Sequence, residues 1–314
     1  MLAASIPRVR GADKPWIHLV SFTTDMYRDR FADSLEAKQA YADHWGYSWH
    51  LFDEKSLDCA EFRPVLWRGD YRYCKLAAIK VVWKEVAAER KRSNDERWHY
   101  IFWHDIDTHI LRPETPLEDF LAAGQHKPVI FTDNALSLNN GVFFLEVSPR
   151  GAEFFKNWRT VCRSGQWAWA DNGCMYEALL QQLGGDRYTG SCMKFREAEF
   201  NKEQPEPPTG NAMMRCFNKE MKLLGMGCCG EERRVKDMAF LTGTKSSFNH
   251  HPCEDLRRNK DFSKKERKLI EKHCFTEGMF MVHSKDIAHA AASLERVLAL
   301  TGNGNSRDEA DDEF

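Results

Sequence analysis

Residues His99 to Arg112, HYIFWHDIDTHILR, constrain the fold more than any other stretch of the chain. Tyr100, Ile101, Phe102 and Trp103 are four large apolar side chains in succession, the pattern of a strand covered on both faces. Asp105 and Asp107 follow at once. In extended chain the side chains at i and i+2 leave on the same side, so the spacing predicts two carboxylates presented together at a strand tip. Held away from water without a cation or basic partners, such a pair is costly, and a hard divalent cation is its natural counterion. The alternative is a polar turn after a buried strand, where Asp is common. D-x-D alone does not decide between them.

The flanking sequence alternates strand and helix signals. Trp16 to Phe22 reads as a first buried strand, and Ser21 and Thr23 fall at its C-terminal end, where hydroxyls cap the next helix or contact a nucleotide. Phe31, Leu35, Ala37, Tyr41 and Trp45 recur at helical spacing, predicting a helix over Tyr27 to Trp45 closed by Gly46. Ser48 to Phe52 is then a second strand, and β-α-β in so short a span calls for a parallel pair with a right-handed crossover. Tyr73 to Arg92 is an amphipathic helix with a basic last turn. Lys75 stands in its first turn, against the helix dipole, either as a solvated lysine or as a contact to phosphate or carboxylate.

Past the aspartates, Thr115 and Pro116 open a helix. Lys127 to Thr132 and Leu138 to Val147 are further strands, with Asn139, Asn140 and Gly141 entering the second as turn residues or as amides aimed at a sugar. Ser148-Pro149 starts a helix to about Cys162, and a Trp-rich loop over 166–173 precedes a helix from Cys174 to Leu183. Trp167 and Trp169 beside Asp171-Asn172 suit a carbohydrate-stacking surface, although core packing takes most tryptophans. Lys202 to Gly210 has linker composition, and 211–277 is poorly patterned, its Arg233-Arg234, Arg257-Arg258 and Lys264-Lys265 pairs reading as solvated faces. Met279 to Val282 is a last strand ending in His283-Ser284-Lys285-Asp286, followed by an Ala/Leu helix to Leu300. The expected organisation is an extension over 1–15, one domain over 16–300 and a disordered acidic tail over 301–314.

Bulk properties narrow the function classes. A formal net charge of −2 over 314 residues gives no global basic field, so nucleic acid is not an expected partner. The first residues lack the apolar core of a secretory signal, and nowhere do about 18 apolar residues run together, so no transmembrane segment is expected. Ten cysteines form no C-x-x-C, and adjacent Cys228-Cys229 is a poor zinc template; disulfides and free buried thiols are both compatible with the count.

In their order along the chain, YCKLAAI with Lys75, the aromatic strand with Asp105 and Asp107, LNNGVFFLEVS from Leu138 to Ser148, Asp171-Asn172, and His283 with Lys285 behind it resemble a GT-A glycosyltransferase. More narrowly they resemble glycosyltransferase family 34, which holds plant xyloglucan xylosyltransferases and fungal Golgi galactosyl- and mannosyltransferases. The resemblance implies an α/β fold with a mostly parallel, Rossmann-like central sheet flanked by helices in a single large domain. Its nucleotide-binding part would span about 16–112 and its acceptor-side part about 113–300. It further implies a UDP- or GDP-sugar donor, Mn²⁺ or Mg²⁺ as cofactor, a glycan or glycoconjugate acceptor, and transfer with retention. By carry-over Asp105, Asp107 and His283 hold the metal, Asp105 also facing the ribose, and Lys285 meets the diphosphate; Ser21, Thr23 and Lys75 are the further candidates for donor contact, and Asp171, Asn172 and Asn140 the candidates for the catalytic group. The chain departs from the family in carrying Asp171-Asn172 in place of Asp-Gln, and His283-Ser284-Lys285 in place of an H-F-x-G-C setting. A Golgi or secretory lumen is expected if a membrane anchor belongs to a longer form of the protein, the cytoplasm otherwise. The competing expectation is a non-catalytic sugar- or nucleotide-binding module on the same fold.

Overall fold

Strand β1 (Trp16–Thr23) is buried along all but its first residue, as a strand in the middle of a sheet must be. In this computed structural model, which describes residues 14–62, 71–133, 138–165, 167–196, 210–226, 232–242, 248, 251, 263–273 and 279–302, it leads into α1 (Asp25–Arg30) and α2 (Ala32–Trp45). The single helix expected over 27–45 is thus two. They break at Phe31, whose backbone leaves helical angles (φ −117°) while its ring is fully buried against Ile106 and Ala290. Burying that ring turns α2 so that Ser34, Ala37, Lys38, Tyr41 and Ala42 face inward, while α1 buries nothing. Gly46 closes α2 in the left-handed region (φ +72°), as expected.

The chain continues as β2 (Ser48–Asp53), α3 (Cys74–Ser93), β3 (His99–His104), a short β4 (Thr108–Ile110), α4 (Leu117–Ala123), β5 (Val129–Asp133), β6 (Leu138–Glu146), α5 (Pro149–Arg163) and α6 (Ala170–Gly184). It ends with α7 (Gly210–Leu223), β7 (Arg233–Val235), β8 (Met238–Leu241), α8 (Lys264–His273), β9 (Met281–His283) and α9 (Ile287–Thr301). The span expected to be poorly patterned therefore holds two helices and a β-hairpin. The sheet order is β2-β1-β3-β6-β5-β8-β7. β1 pairs in parallel with β2 and β3, and β5 with β8, while β6 and β7 run against the other five. This is the α/β, mostly parallel, helix-flanked single domain expected from the sequence.

β3 shows why its sequence lacks alternation. Ile101 and Trp103 pack into the layer formed with α3, α5, α6 and α7, whereas Tyr100 and Phe102 pack on the other face with α2, α4 and α9. Each such large side chain contributes roughly 1.5–3 kcal/mol through burial.

Two departures from local expectation position the site. β6 is antiparallel to β3, with Val142 opposite His104, so its first residues lie at the carboxyl end of β3. β9 does not join the central sheet. It pairs antiparallel with β4, setting His283 opposite Thr108.

Three disulfides, Cys59–Cys74, Cys162–Cys174 and Cys192–Cys216, account for every cysteine among the described residues. The first two tie down the starts of α3 and α6. Among the described residues no helix is long and apolar enough to cross a membrane. The N-terminal extension up to residue 13, the linker at 202–209, Arg257-Arg258, the acidic tail from 303, and Cys228, Cys229, Cys253 and Cys274 lie outside the described residues.

Candidate metal centre

One ligand atom each from Asp105, Asp107 and His283 lies within 4.8 Å of the other two, and this is the one such group of metal-ligating side chains among the described residues. The carboxylates converge for a different reason from the one expected. β3 ends at His104 and β4 begins at Thr108, so both aspartates belong to a tight turn rather than to alternating strand positions. Backbone bonds hold that turn from both sides. Asp105 N–H donates to Gly141 O (2.7 Å), and Thr108 donates to Asp105 O through its amide (3.2 Å) and hydroxyl (2.6 Å). Ser284 N–H donates to Asp107 O (2.8 Å), bringing the residue after His283 onto the turn. Gly141 is required by space: a Cβ there would stand 2.4 Å from His283 Cε1.

His283 Nε2 is 3.1 Å from Asp107 Oδ1. Burial disfavours charge on each partner, yet the pair overrides it. The Asp107 carboxyl is held below the usual carboxylate range by His283, and the imidazole is raised by Asp107 and Asp105. Asp105 goes the other way: burial raises it, against the pull of Lys75.

Behind the turn sits a buried polar cluster. Lys75 Nζ, on a side chain only 4 % exposed, is 2.8 Å from Asp171 Oδ2 and 3.3 Å from Asp105 Oδ1. It also donates to Asn140 Oδ1 (2.7 Å) and Asn140 O (3.0 Å), and it lies over the Trp103 ring. The two carboxylates outweigh burial and keep the ammonium charged. Trp103 Nε1 donates to Asp105 Oδ1 (2.8 Å), and Asn140 N–H donates to Asn172 Oδ1 (2.9 Å). Asp171 and Asn172 lie in the first turn of α6, not in a loop before a helix starting at Cys174. A carboxylate is favoured at a helix N-terminus. The chain reaches that turn through two residues in the left-handed region, Trp169 (φ +65°) and Ala170 (φ +48°), a conformation that side chains with a Cβ adopt at a cost.

Seven of the residues singled out from the sequence thus come together: Lys75, Asp105, Asp107, Asn140, Asp171, Asn172 and His283. Ser21 and Thr23 are engaged elsewhere, and Lys285 lies at the surface. The Ser21 hydroxyl is fully buried and donates to His104 O (2.5 Å), and Thr23 Oγ1 donates to Thr24 O. Lys285 is exposed, and its carbonyl accepts from Arg30 Nη2 (2.8 Å). The tryptophans do not make a stacking surface. Trp167 is 2 % exposed with its indole N–H on Val161 O, and partly buried Trp169 meets Tyr176 edge-on.

The residue missed from sequence is Lys38. Its side chain is fully buried, and Nζ donates to Asp105 O and Ile106 O, both at 3.0 Å. Burial brings its pKa down to about 7 against the pull of Asp107 and Asp105. A signal was available: Ser34, Ala37, Lys38, Tyr41 and Ala42 form one inward stripe at helical spacing, and lysine is foreign to such a stripe.

The donor set fits a divalent ion of the Mn²⁺ type, which accepts carboxylate oxygen and imidazole nitrogen together. His283 Nδ1 and Asn140 Nδ2 are buried without a hydrogen-bond partner among the described residues, so the site retains unused polar atoms. The arrangement defines a candidate cation centre at the carboxyl end of a central strand, where open α/β sheets bind ligands.

No family model matches the sequence, and no curated protein matches it. Among solved structures, a glycosyltransferase involved in glycosylation of the major capsid of PBCV-1 is similar, with 11% identity, TM-score 0.38, and coverage of 90% of this chain and 100% of that one. An active-site mutant of LgtC is similar at 12% identity and TM-score 0.37, covering 91% and 95% of the two chains. The galactosyltransferase LgtC in complex with donor and acceptor sugar analogues is similar at 11% identity and TM-score 0.33, covering 93% and 98%. Scores of this size carry no functional argument for this chain.

Proposed function

We propose that the protein is a metal-dependent glycosyltransferase of the GT-A type, moving a sugar from a UDP- or GDP-linked donor to a glycan or glycoconjugate with retention. The observation that carries this reading is the convergence of Asp105, Asp107 and His283, with the buried Lys75–Asp171 ion pair directly behind them. Asp105, Asp107 and His283 would hold Mn²⁺ or Mg²⁺, which would supply positive charge against the diphosphate as it departs.

The roles of the chain's own residues follow from their contacts. Lys75 is enclosed by four acceptors, so in this reading it orients Asp105 and Asp171 rather than reaching the diphosphate. Asp171 keeps one carboxylate oxygen beyond its bond to Lys75 for the sugar, and Asn140 Nδ2 offers a donor beside it. Lys285, exposed and two residues past His283, would supply a cation for the diphosphate. The three disulfides support an oxidising compartment such as a secretory lumen. A non-catalytic sugar-binding module loses its main support with Trp167 and Trp169 packed inward.

Calorimetric titration of UDP, GDP and their sugars, with and without Mn²⁺, tests the proposal. Metal-dependent binding of one nucleotide, followed by release of nucleoside diphosphate in the presence of acceptor, is the expected result. Binding of neither nucleotide by folded protein would refute it.

A further inference from the structure

The turn that carries both aspartates is not made by strand geometry, so something else must bring the carboxylates to one side. Besides Ser284 N–H on Asp107 O, three donors act on its carbonyls: the Thr108 amide and hydroxyl on Asp105 O, and the Lys38 amino group on Asp105 O and Ile106 O. Lys38 alone bridges two successive carbonyls. It reaches them from α2, whose Ser34 also donates to Thr108 O at the end of the turn (3.0 Å), and it is fully buried there. An ammonium without a carboxylate in direct contact is an expensive way to fill a helix stripe that also holds Ala37, Tyr41 and Ala42. A Leu or Met would fill it more cheaply. What lysine adds is a pair of bonds from one Nζ that fix the directions of two adjacent peptide planes, and with them the Cα–Cβ vectors of Asp105 and Asp107.

Resting on the metal-centre reading above, we infer that Lys38 is a positioning residue for the cation: by clamping Asp105 O and Ile106 O it holds the two carboxylates in the convergent arrangement that binds metal. It touches neither metal nor donor.

This role has a signature that charge alone does not reproduce. Removing a positive charge from beside two carboxylates should by itself tighten their hold on a divalent cation. If Lys38 works by position, removing it does the reverse. The sign of the change in metal affinity therefore separates the two.

The test is calorimetric titration of Mn²⁺ into wild type, Lys38→Met and Lys38→Gln, with apo-protein melting temperatures recorded alongside. We expect Lys38→Met to bind at least about tenfold more weakly, in the range seen when a residue supporting a metal ligand is removed. Lys38→Gln, which keeps one N–H donor, should recover part of the loss at similar apo stability. Affinity equal to or above wild type in the folded variants overturns the inference while leaving the metal centre standing, and a lowered melting temperature with unchanged affinity does the same. Failure of wild type to bind either Mn²⁺ or Mg²⁺ overturns both. Should the variants not fold, the wild-type ammonium resonance of Lys38 during Mg²⁺ titration decides. It should shift with the dissociation constant of metal binding, and an unmoved resonance overturns the inference.

Discussion

The two ends of β1 and β3 carry buried polar clusters built on opposite principles. At the amino end, three imidazoles from neighbouring strands bond to one another: His50 Nε2 lies 3.3 Å from His18 Nδ1, and His18 Nε2 lies 3.2 Å from His99 Nδ1. His99 Nε2 is 3.4 Å from Asp95 Oδ2, and Asp95 is held by Arg97. Burial, together with the neighbouring imidazoles, drives His18 down to about 3, and burial lowers His50 and His99 as well. The imidazoles are held neutral by burial and bonded in a chain, with the charged Asp95–Arg97 pair at its end. At the carboxyl end the buried groups are charged, they are fixed by backbone contacts and by lysines from other elements, and buried polar atoms there are left without partners. A chain of neutral imidazoles stabilises a fold; a cluster of converging carboxylates and an imidazole, backed by a buried lysine, is arranged for a cation that arrives from outside.

The sharpest way to break this contrast is at the turn. Asp107→Ala should lower metal-dependent donor turnover by on the order of 10³-fold, the scale of losing one major electrostatic contributor in an active site. The fold should persist with a somewhat lower melting temperature, because relief of repulsion from Asp105 is set against loss of the His283 ion pair. Turnover and a thermal melt on the same preparation measure both. A variant with full turnover would reduce the cluster to a structural turn and erase the distinction between the ends.

Lys75→Met attacks the same end through stability. Removing the ammonium strands Asp171 as a buried, unpaired carboxylate and takes a charge partner from half-buried Asp105, a loss of about 3–5 kcal/mol. For a chain of this size that amounts to roughly 10 °C in melting temperature. The deficit should shrink as the pH is lowered through the carboxylate range, since protonation removes the stranded charge. A deficit that stays constant with pH would mean that Lys75 supports the fold by packing alone.

How legible this was differs between the parts. β3, its unbroken apolar run and the aspartates after it could be read directly, because a strand covered on both faces leaves a purely local signature. Lys75 was legible as an anomaly, a cation in the first turn of a helix. Asn140 and His283 could be named but not placed. Their positions depend on β6 running antiparallel to β3 and on β9 pairing with β4, and pairing direction is decided by contacts remote in sequence. The break at Phe31 escaped because continuous helical periodicity hides a single non-helical residue whose ring is needed in the core. Lys38 was hidden by habit of reading: a lysine on a helix is taken as solvated unless the whole inward stripe is checked position by position.

The amino end should respond to acid instead. His18 keeps a lowered pKa when folded, so the unfolded chain takes up the proton first, and stability is full above about pH 6.5 and falls as the pH drops towards 3. His50 and His99 on the adjoining strands, Asp95 beyond His99, and Glu85 of α3 near His50 are the groups that face it. At pH 4.5, about two units below the unfolded value, His18 alone costs on the order of 2–3 kcal/mol. His18→Gln should flatten this part of the stability profile, measured by denaturant unfolding from pH 7 to 4.5, and leave metal affinity unchanged. An unaltered acid slope would show that the imidazole chain takes up protons without unfolding.

The smallest effect tests whether the two ends are independent. Ser148 caps α5, accepting from Gly151 N–H (3.2 Å) and donating to Glu146 Oε2 (3.0 Å), and Val147 N–H beside it donates to His99 O (2.8 Å) at the amino end of β3. Ser148→Ala should cost about 1 kcal/mol, a shift of roughly 2–4 °C, as cap losses do. Mn²⁺ affinity, measured by calorimetry, should not move, because the rigid, doubly covered β3 lies between the cap and the turn at Asp105. A change in affinity with so small a loss of stability would mean that β3 transmits displacement along its length. The aspartate turn would then be set by the position of the whole strand as well as by its own clamps.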